Sequence, residues 1–175
     1  MKRRTLFLSS LALLSGCTAV HSPGTRERAG RFSLSAVGPK GAEAVTGRWK
    51  LVESKDLTEL TLMTPLYGIL ARITITPEGA TLERPNKESE GAFDSAASAH
   101  ELMQQHLGFG LPADMLSSWL SGEPWVQAPA QVADDSFTQS GWQIAVRRRK
   151  PDGSPALVTL SQSTPRQITL TLVIE

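Results

Sequence analysis

Apolar and polar residues alternate with a period of two through most of the first half of the chain. Phe32, Leu34 and Ala36 alternate with Arg31, Ser33 and Ser35, and Trp49 and Leu51 with Arg48 and Lys50. Leu60 and Leu62 alternate with Glu59 and Thr61. Ile69, Ala71, Ile73 and Ile75 alternate with Leu70, Arg72, Thr74 and Thr76. Such alternation gives each strand one apolar and one wet face, as in an antiparallel sheet. Pro77-Glu78-Gly79 predicts a turn, after which Ala80-Thr81-Leu82 resumes the sheet.

The pattern changes after Pro85. Asp94 or Ser95 suits a helix N-cap, and Leu102, Met103, His106 and Leu107 share one helical face. Gly108 fits the position just past that helix. Pro112 suits the first turn of a second helix carrying Met115, Leu116, Trp119 and Leu120, and Gly122 and Pro124 end it. Both helices are short and one-sided, so each must lie on something apolar. Alternation returns at Trp142, Ile144 and Val146, then at Val158 and Leu160, then at Ile168, Leu170, Leu172 and Ile174. Pro151-Asp152-Gly153 makes a hairpin turn between the first two of these segments. The order strands, two helices, strands predicts a mainly β, α+β fold. An antiparallel sheet curls into an unclosed half-barrel, with the helices over its mouth.

The first residues have a different character. Lys2, Arg3 and Arg4 precede an apolar run from Leu6 to Leu14, and Leu14-Ser15-Gly16-Cys17 follows. A basic start, an apolar middle and small residues describe an export signal. The run is too short to span a bilayer, which takes about 20 residues. The stretch ending at Cys17 resembles the lipobox of bacterial lipoprotein precursors. That resemblance implies cleavage before Cys17, a diacylglycerol on its thiol and an acylated new N-terminus. Cys17 is the only cysteine, so an internal disulfide is excluded. Arg3-Arg4 also resembles a twin-arginine signal, which leaves the export route open. Thr18 stands where Asp would signal inner-membrane retention, which points the anchor to the outer membrane, facing the periplasm. Residues 1–16 read as signal, 17–29 as lipidated N-terminus and tether, and 30–175 as the folded domain. Loss of the signal removes three of 18 basic residues, leaving 15 against 17 acidic ones, a net of −2 that argues against nucleic-acid binding. The remaining 159 of the 175 residues suffice for one domain with its own core.

Several motifs, in order, resemble the LolB family of outer-membrane lipoprotein receptors. They are Gly30-Arg31-Phe32-Ser33, Gly47-Arg48-Trp49, Thr64-Pro65-Leu66-Tyr67-Gly68 with Ala71-Arg72-Ile73, and a long run between Leu107 and Pro124. That run holds Gly108, Leu111, Pro112, Leu116, Trp119, Leu120 and Gly122. Gly141-Trp142, Pro155 with Val158 and Leu160, and the alternation from Ile168 to Ile174 complete the set. The resemblance implies an eleven-stranded unclosed barrel with a helical lid over an apolar cavity. It implies a monomer that accepts lipoproteins from the periplasmic carrier LolA and inserts them into outer-membrane lipid, with no cofactor and no metal. Two features depart from the family pattern. Only Thr18 to Ala29 precedes the first strand where the family has a longer segment with a helix, and Tyr67 intervenes between Leu66 and Gly68.

On that resemblance, Trp49, Leu51, Leu60, Leu62, Ile73, Leu170 and Leu172 on the sheet face an acyl-chain cavity. Leu102, Met103, Met115 and Trp119 cover it. Spacing alone reads the same residues as ordinary core. Pro65, Leu66, Tyr67 and Gly68 form a loop whose leucine, by the resemblance, meets the membrane; the alternative is that Leu66 tucks back onto the sheet. An enzyme is the first rival. His100-Glu101 begins a zincin motif, but Gln104 stands at the second histidine position, so no catalytic or metal residues are assigned. The second rival is a structural or assembly lipoprotein that binds a protein partner through its apolar face. Arg147-Arg148-Arg149-Lys150 reads as a solvated strand end rather than a nucleic-acid site, and anionic headgroups or the carrier are its other candidate contacts.

Overall fold

The computed structural model describes residues 24–38, 41–85, 93–107, 109–164 and 166–175. Its strands are β1 (Arg26–Gly38), β2 (Gly41–Glu53), β3 (Thr58–Thr64), β4 (Gly68–Thr76), β5 (Gly79–Glu83) and β6 (Phe93–Ala96). After helices α1 (Ala99–Leu107) and α2 (Leu116–Leu120) come β7 (Ala130–Ala133), β8 (Ser136–Gln139), β9 (Trp142–Arg149), β10 (Pro155–Gln162) and β11 (Gln167–Ile174). They form one eleven-stranded sheet in the order β6-β5-β4-β3-β2-β1-β11-β10-β9-β8-β7, antiparallel throughout and unclosed. The first strand pairs with the last in the middle of the sheet. The strands then run outward on both sides to β6 and β7, which are neighbours in sequence. The chain between these two edges, carrying α1 and α2, therefore has to cross from one end of the sheet to the other.

Two cross-strand pairs explain the glycines beside Phe32 and Trp49. Gly30 of β1 faces Trp49 of β2, and Phe32 faces Gly47. A methyl on Gly30 would land on the Val173 carbonyl, and one on Gly47 would strike the Met63 carbonyl and the Phe32 ring. Without those methyls the two rings come up against the glycine backbones. The Trp49 indole then donates toward Arg31 O at 3.2 Å and Val173 O at 3.3 Å, which satisfies a buried N–H.

The helical segment is more deeply sunk than its periodicity predicts. Phe109, Leu111, Pro112 and Ala113, between the helices, are all buried. Trp142 of β9 meets Phe109 edge to face at 6.3 Å and donates its indole N–H to Gly110 O at 3.2 Å. Pro112 consequently lies ahead of α2 rather than in its first turn, its carbonyl accepting from Met115 N at 3.0 Å. Asp94 and Ser95 do not cap α1, because they pair with Leu82 and Thr81 inside β6. Ser98 does so instead, its Oγ accepting from Glu101 N at 3.2 Å. His106 leaves the predicted apolar face and pairs with Asp94, 3.2 Å away. Gly108 lies outside the described residues. At the other end, β1 begins at Arg26, four residues before the predicted start, because Arg26–Ala29 pair with the far end of β2.

Strands β7 and β8 escaped the sequence pattern. Their one fully buried polar side chain, Gln139, is 1% exposed and uses all four of its hydrogen-bonding positions. Its Oε1 accepts from Trp119 Nε1 at 2.8 Å and Trp125 N at 2.9 Å. Its Nε2 donates to Trp125 O and Ala128 O, both at 2.8 Å. One amide thus binds α2 and the following loop to β8. Gln139→Leu strands several buried partners, each worth roughly 1–3 kcal/mol, and is expected to lower stability by about 2–5 kcal/mol. Urea unfolding of the variant measures the loss, and a change under about 1 kcal/mol would show that the hub is not needed.

Candidate functional site

Beneath the crossing segment lies a recess whose wall is apolar throughout. Phe32 and Leu34 of β1, Val45 and Trp49 of β2, Leu60 and Leu62 of β3, Leu70 of β4, and Leu170 and Leu172 of β11 form its sheet side. Met103 of α1, Phe109 and Leu111 of the connection, and Leu116 of α2 form its cover. Trp49 and Leu60 are buried at the floor, whereas Val45 and Leu70 are each 37% exposed at the rim. The free volume is about 70 Å³.

The predicted lining residues divide. Trp49, Leu60, Leu62, Met103, Leu170 and Leu172 meet in the recess. Leu51, Ile73, Leu102 and Trp119 are fully buried but pack elsewhere in the core. Met115 is half-buried and lies in a separate, partly polar depression with Ile75, His100, Asp114 and Ser140. Among the lining residues not predicted, Phe32 and Leu34 carried a readable strand alternation. Phe109 and Leu111 sit in an aperiodic connection, and Leu70 stood on the wet side of its strand pattern.

Beside the rim, β3 turns into β4 through Pro65, Leu66 and Tyr67. Thr64 pairs with Gly68, which takes a φ of +65°, and Tyr67 N donates to Thr64 Oγ1 at 3.3 Å. A three-residue loop closed by a left-handed glycine accommodates the extra Tyr67. Leu66 is 86% exposed and Tyr67 66%. Leu66 therefore points outward and does not fold back on the sheet.

The cover is pinned by charge at its α2 end. Arg28 Nη2 donates to Glu53 Oε2 at 3.1 Å, to Ser117 O at 3.0 Å and to Ser117 Oγ, while Nη1 donates to Ser121 Oγ at 3.1 Å. Ser117 Oγ in turn donates to Glu53 Oε2 at 2.9 Å. Arg28 and Glu53 are largely buried, so the pair is poorly screened. The other sequence candidates lie apart from the recess. The His100 ring rests against Gly110. Arg147, Arg148 and Arg149 are exposed, and Arg149 bonds Asp135 Oδ1 and Gly153 O, both at 3.1 Å. Cys17 lies outside the described residues. Among those described, no helix is long and apolar enough to cross a membrane.

Comparison with known proteins places this geometry in a family. The model of the family described as "LolB: Outer membrane lipoprotein LolB" matches residues 26–175. The chain is similar to a protein of Cupriavidus metallidurans named outer-membrane lipoprotein LolB, 32% identical over 91% of this chain and 78% of that one. A protein of the same name from Bordetella petrii is 32% identical over 93% and 87% of the two chains, and one from Vibrio parahaemolyticus 29% over 81% and 77%.

Arg28→Met removes the cationic half of the pin and leaves Glu53 with only the Ser117 hydroxyl. Hydrogen bonds to a charged group contribute about 1.5–3 kcal/mol, so amides of Trp119 to Gly122 are expected to exchange at least about tenfold faster. Exchange followed residue by residue checks this, and unchanged protection there would mean that the pin does not hold α2.

Proposed function

The chain belongs to the LolB family of outer-membrane lipoproteins, and from that membership we propose that it is a lipid-anchored receptor. It accepts lipoproteins from the periplasmic carrier LolA and inserts them into outer-membrane lipid, working as a monomer. Residues 1–16 direct export, Cys17 carries the acyl groups, and the stretch from there to β1 is the tether. The observation that carries the reading is the apolar recess under a small cover, next to an exposed Leu66 tip. An acyl chain crossing water exposes methylenes at about 0.8 kcal/mol each, so a carrier-to-membrane relay needs an all-carbon container. The lining offers no polar group, which suits a hydrocarbon and suits no headgroup.

At about 70 Å³ the recess is a closed state. Sites that enclose small molecules hold about 300–1,000 Å³, so an acyl chain enters only when the cover moves. α1, the Phe109–Ala113 connection and α2 act as that lid. Methionine and leucine side chains repack around an irregular chain more readily than polar ones, and Met103 lies on the underside. Once the lid lifts, Leu66 and Tyr67 enter the bilayer surface and the chain leaves for lipid. No nucleotide is needed, since a tenfold preference of receptor over carrier takes only about 1.4 kcal/mol. Receptor chemistry of this kind uses no catalytic residue.

The small recess favours one alternative, a structural or assembly lipoprotein whose core is simply packed. The two readings part on acyl uptake. The Cys17→Ala soluble form is expected to take up an acyl-chain fluorophore and to receive a lipoprotein from loaded LolA. A folded chain that does neither is an assembly module. Leu66→Glu in the anchored protein is expected to leave the fold and acceptance intact while cargo insertion into vesicles falls about tenfold or more, the cost of pressing a carboxylate into lipid. Normal insertion by that variant would remove the loop from the mechanism.

A further inference from the structure

One irregularity in the sheet lies between the recess and the hairpin tip. Leu62 pairs with Ala71, but the next residue, Met63, pairs with Ile69, so Leu70 has no opposite number. A bulge of this kind re-aims the side chains around it. Strict alternation from the buried Ala71 and Ile73 would turn Leu70 away from the recess; instead it lines the wall with Leu62 and Val45. Exposure rises along one path: Trp49 1% and Leu60 3% at the floor, Leu70 and Val45 37% at the rim, Leu66 86% at the tip. Leu66 lies four residues from Leu70, at most about 14 Å of chain.

We propose that the Leu70 bulge is the port of the recess, through which an acyl chain enters and leaves along the strip Leu62, Leu70 and Leu66. The proposal rests on the receptor reading and adds to it the place of passage. The competing opening is the depression around Met115, whose lining includes the polar residues His100, Asp114 and Ser140. A hydrocarbon passing there meets groups that hold water. Along the Leu70 route the wall is apolar from floor to rim, so the departing chain stays covered until it reaches the hairpin tip. The bulge serves this path because its extra residue turns one more leucine onto it.

A port residue and a wall residue differ kinetically. In the Cys17→Ala chain, stopped-flow uptake and release of an anthroyloxy-labelled stearate gives both rate constants. Leu70→Asp places a hydrated carboxylate in the passage, so both rates are expected to fall about tenfold with little change in Kd. If Leu70 is merely wall, release speeds up and entry does not change, which overturns the proposal. The Cys17→Ala chain has no other cysteine, so single labels report the route even if Leu70→Asp folds poorly. Bimane on Leu70→Cys or Val45→Cys is expected to be quenched by nitroxide-labelled stearate, and bimane on Asp114→Cys is not. Quenching at Asp114→Cys alone moves the port and leaves the receptor reading standing. Failure of the unlabelled Cys17→Ala chain to bind the stearate at all defeats the receptor reading and the port with it.

Discussion

An unclosed sheet with one apolar face cannot cover itself, and most of this structure answers that constraint. The strand order leaves β6 and β7 at opposite ends, yet only the segment carrying α1 and α2 separates them in sequence. That segment must cross the apolar face to reach the far edge, and in crossing it becomes the cover. Its helices are of nine and five residues, too short to be stable alone. They hold because the sheet offers fixed partners: Gln139 for the Trp119 and Trp125 groups, Trp142 for the Phe109-Gly110 connection, and Arg28 with Glu53 for Ser117 and Ser121.

The lid motion proposed for this cover has to loosen packing as well as hydrogen bonds. Leu102, Met103, Phe109, Leu111, Leu116 and Trp119 of the cover are all buried in the core, and the polar clamps sit around them. Each clamp is worth a small number of kcal/mol, comparable to what burying a few methylenes returns. In the proposed mechanism an acyl chain entering from the rim replaces contacts that the cover gives up, which would couple opening to loading. The exposed hairpin needs no such coupling. It is closed by Gly68 in the left-handed conformation and presents Leu66 outward.

Legibility in the sequence followed burial geometry. Strands with one face in the core, such as those through Trp49, Leu60 and Leu170, wrote themselves as alternation. So did the turns at Pro77 and Pro151. The bounds of α1 and α2 were less legible, because Ser98 rather than Asp94 supplies the cap and because the connection between the helices is buried without periodicity. β7 and β8 were illegible: β7 is largely exposed, and of the two inward residues on β8 only Phe137 is apolar, the other being a glutamine whose value lies in hydrogen bonds. Leu66 was readable as an apolar residue where a tip should be wet. Leu70 was not, since a bulge changes the face of a residue without changing its neighbours in sequence.

In the proposed mechanism an acyl chain occupies the space beneath a cover that lifts. A direct measurement locks the cover. Ser117→Cys and Glu53→Cys, in the Cys17→Ala chain, place two thiols where α2 meets β2, and a short bifunctional, reductant-cleavable linker joins them. Acyl-fluorophore uptake is then measured before and after reduction. The linked chain is expected to take up little or none, and cleavage is expected to restore uptake. Undiminished uptake by the locked chain would contradict it, placing the hydrocarbon somewhere other than under α2.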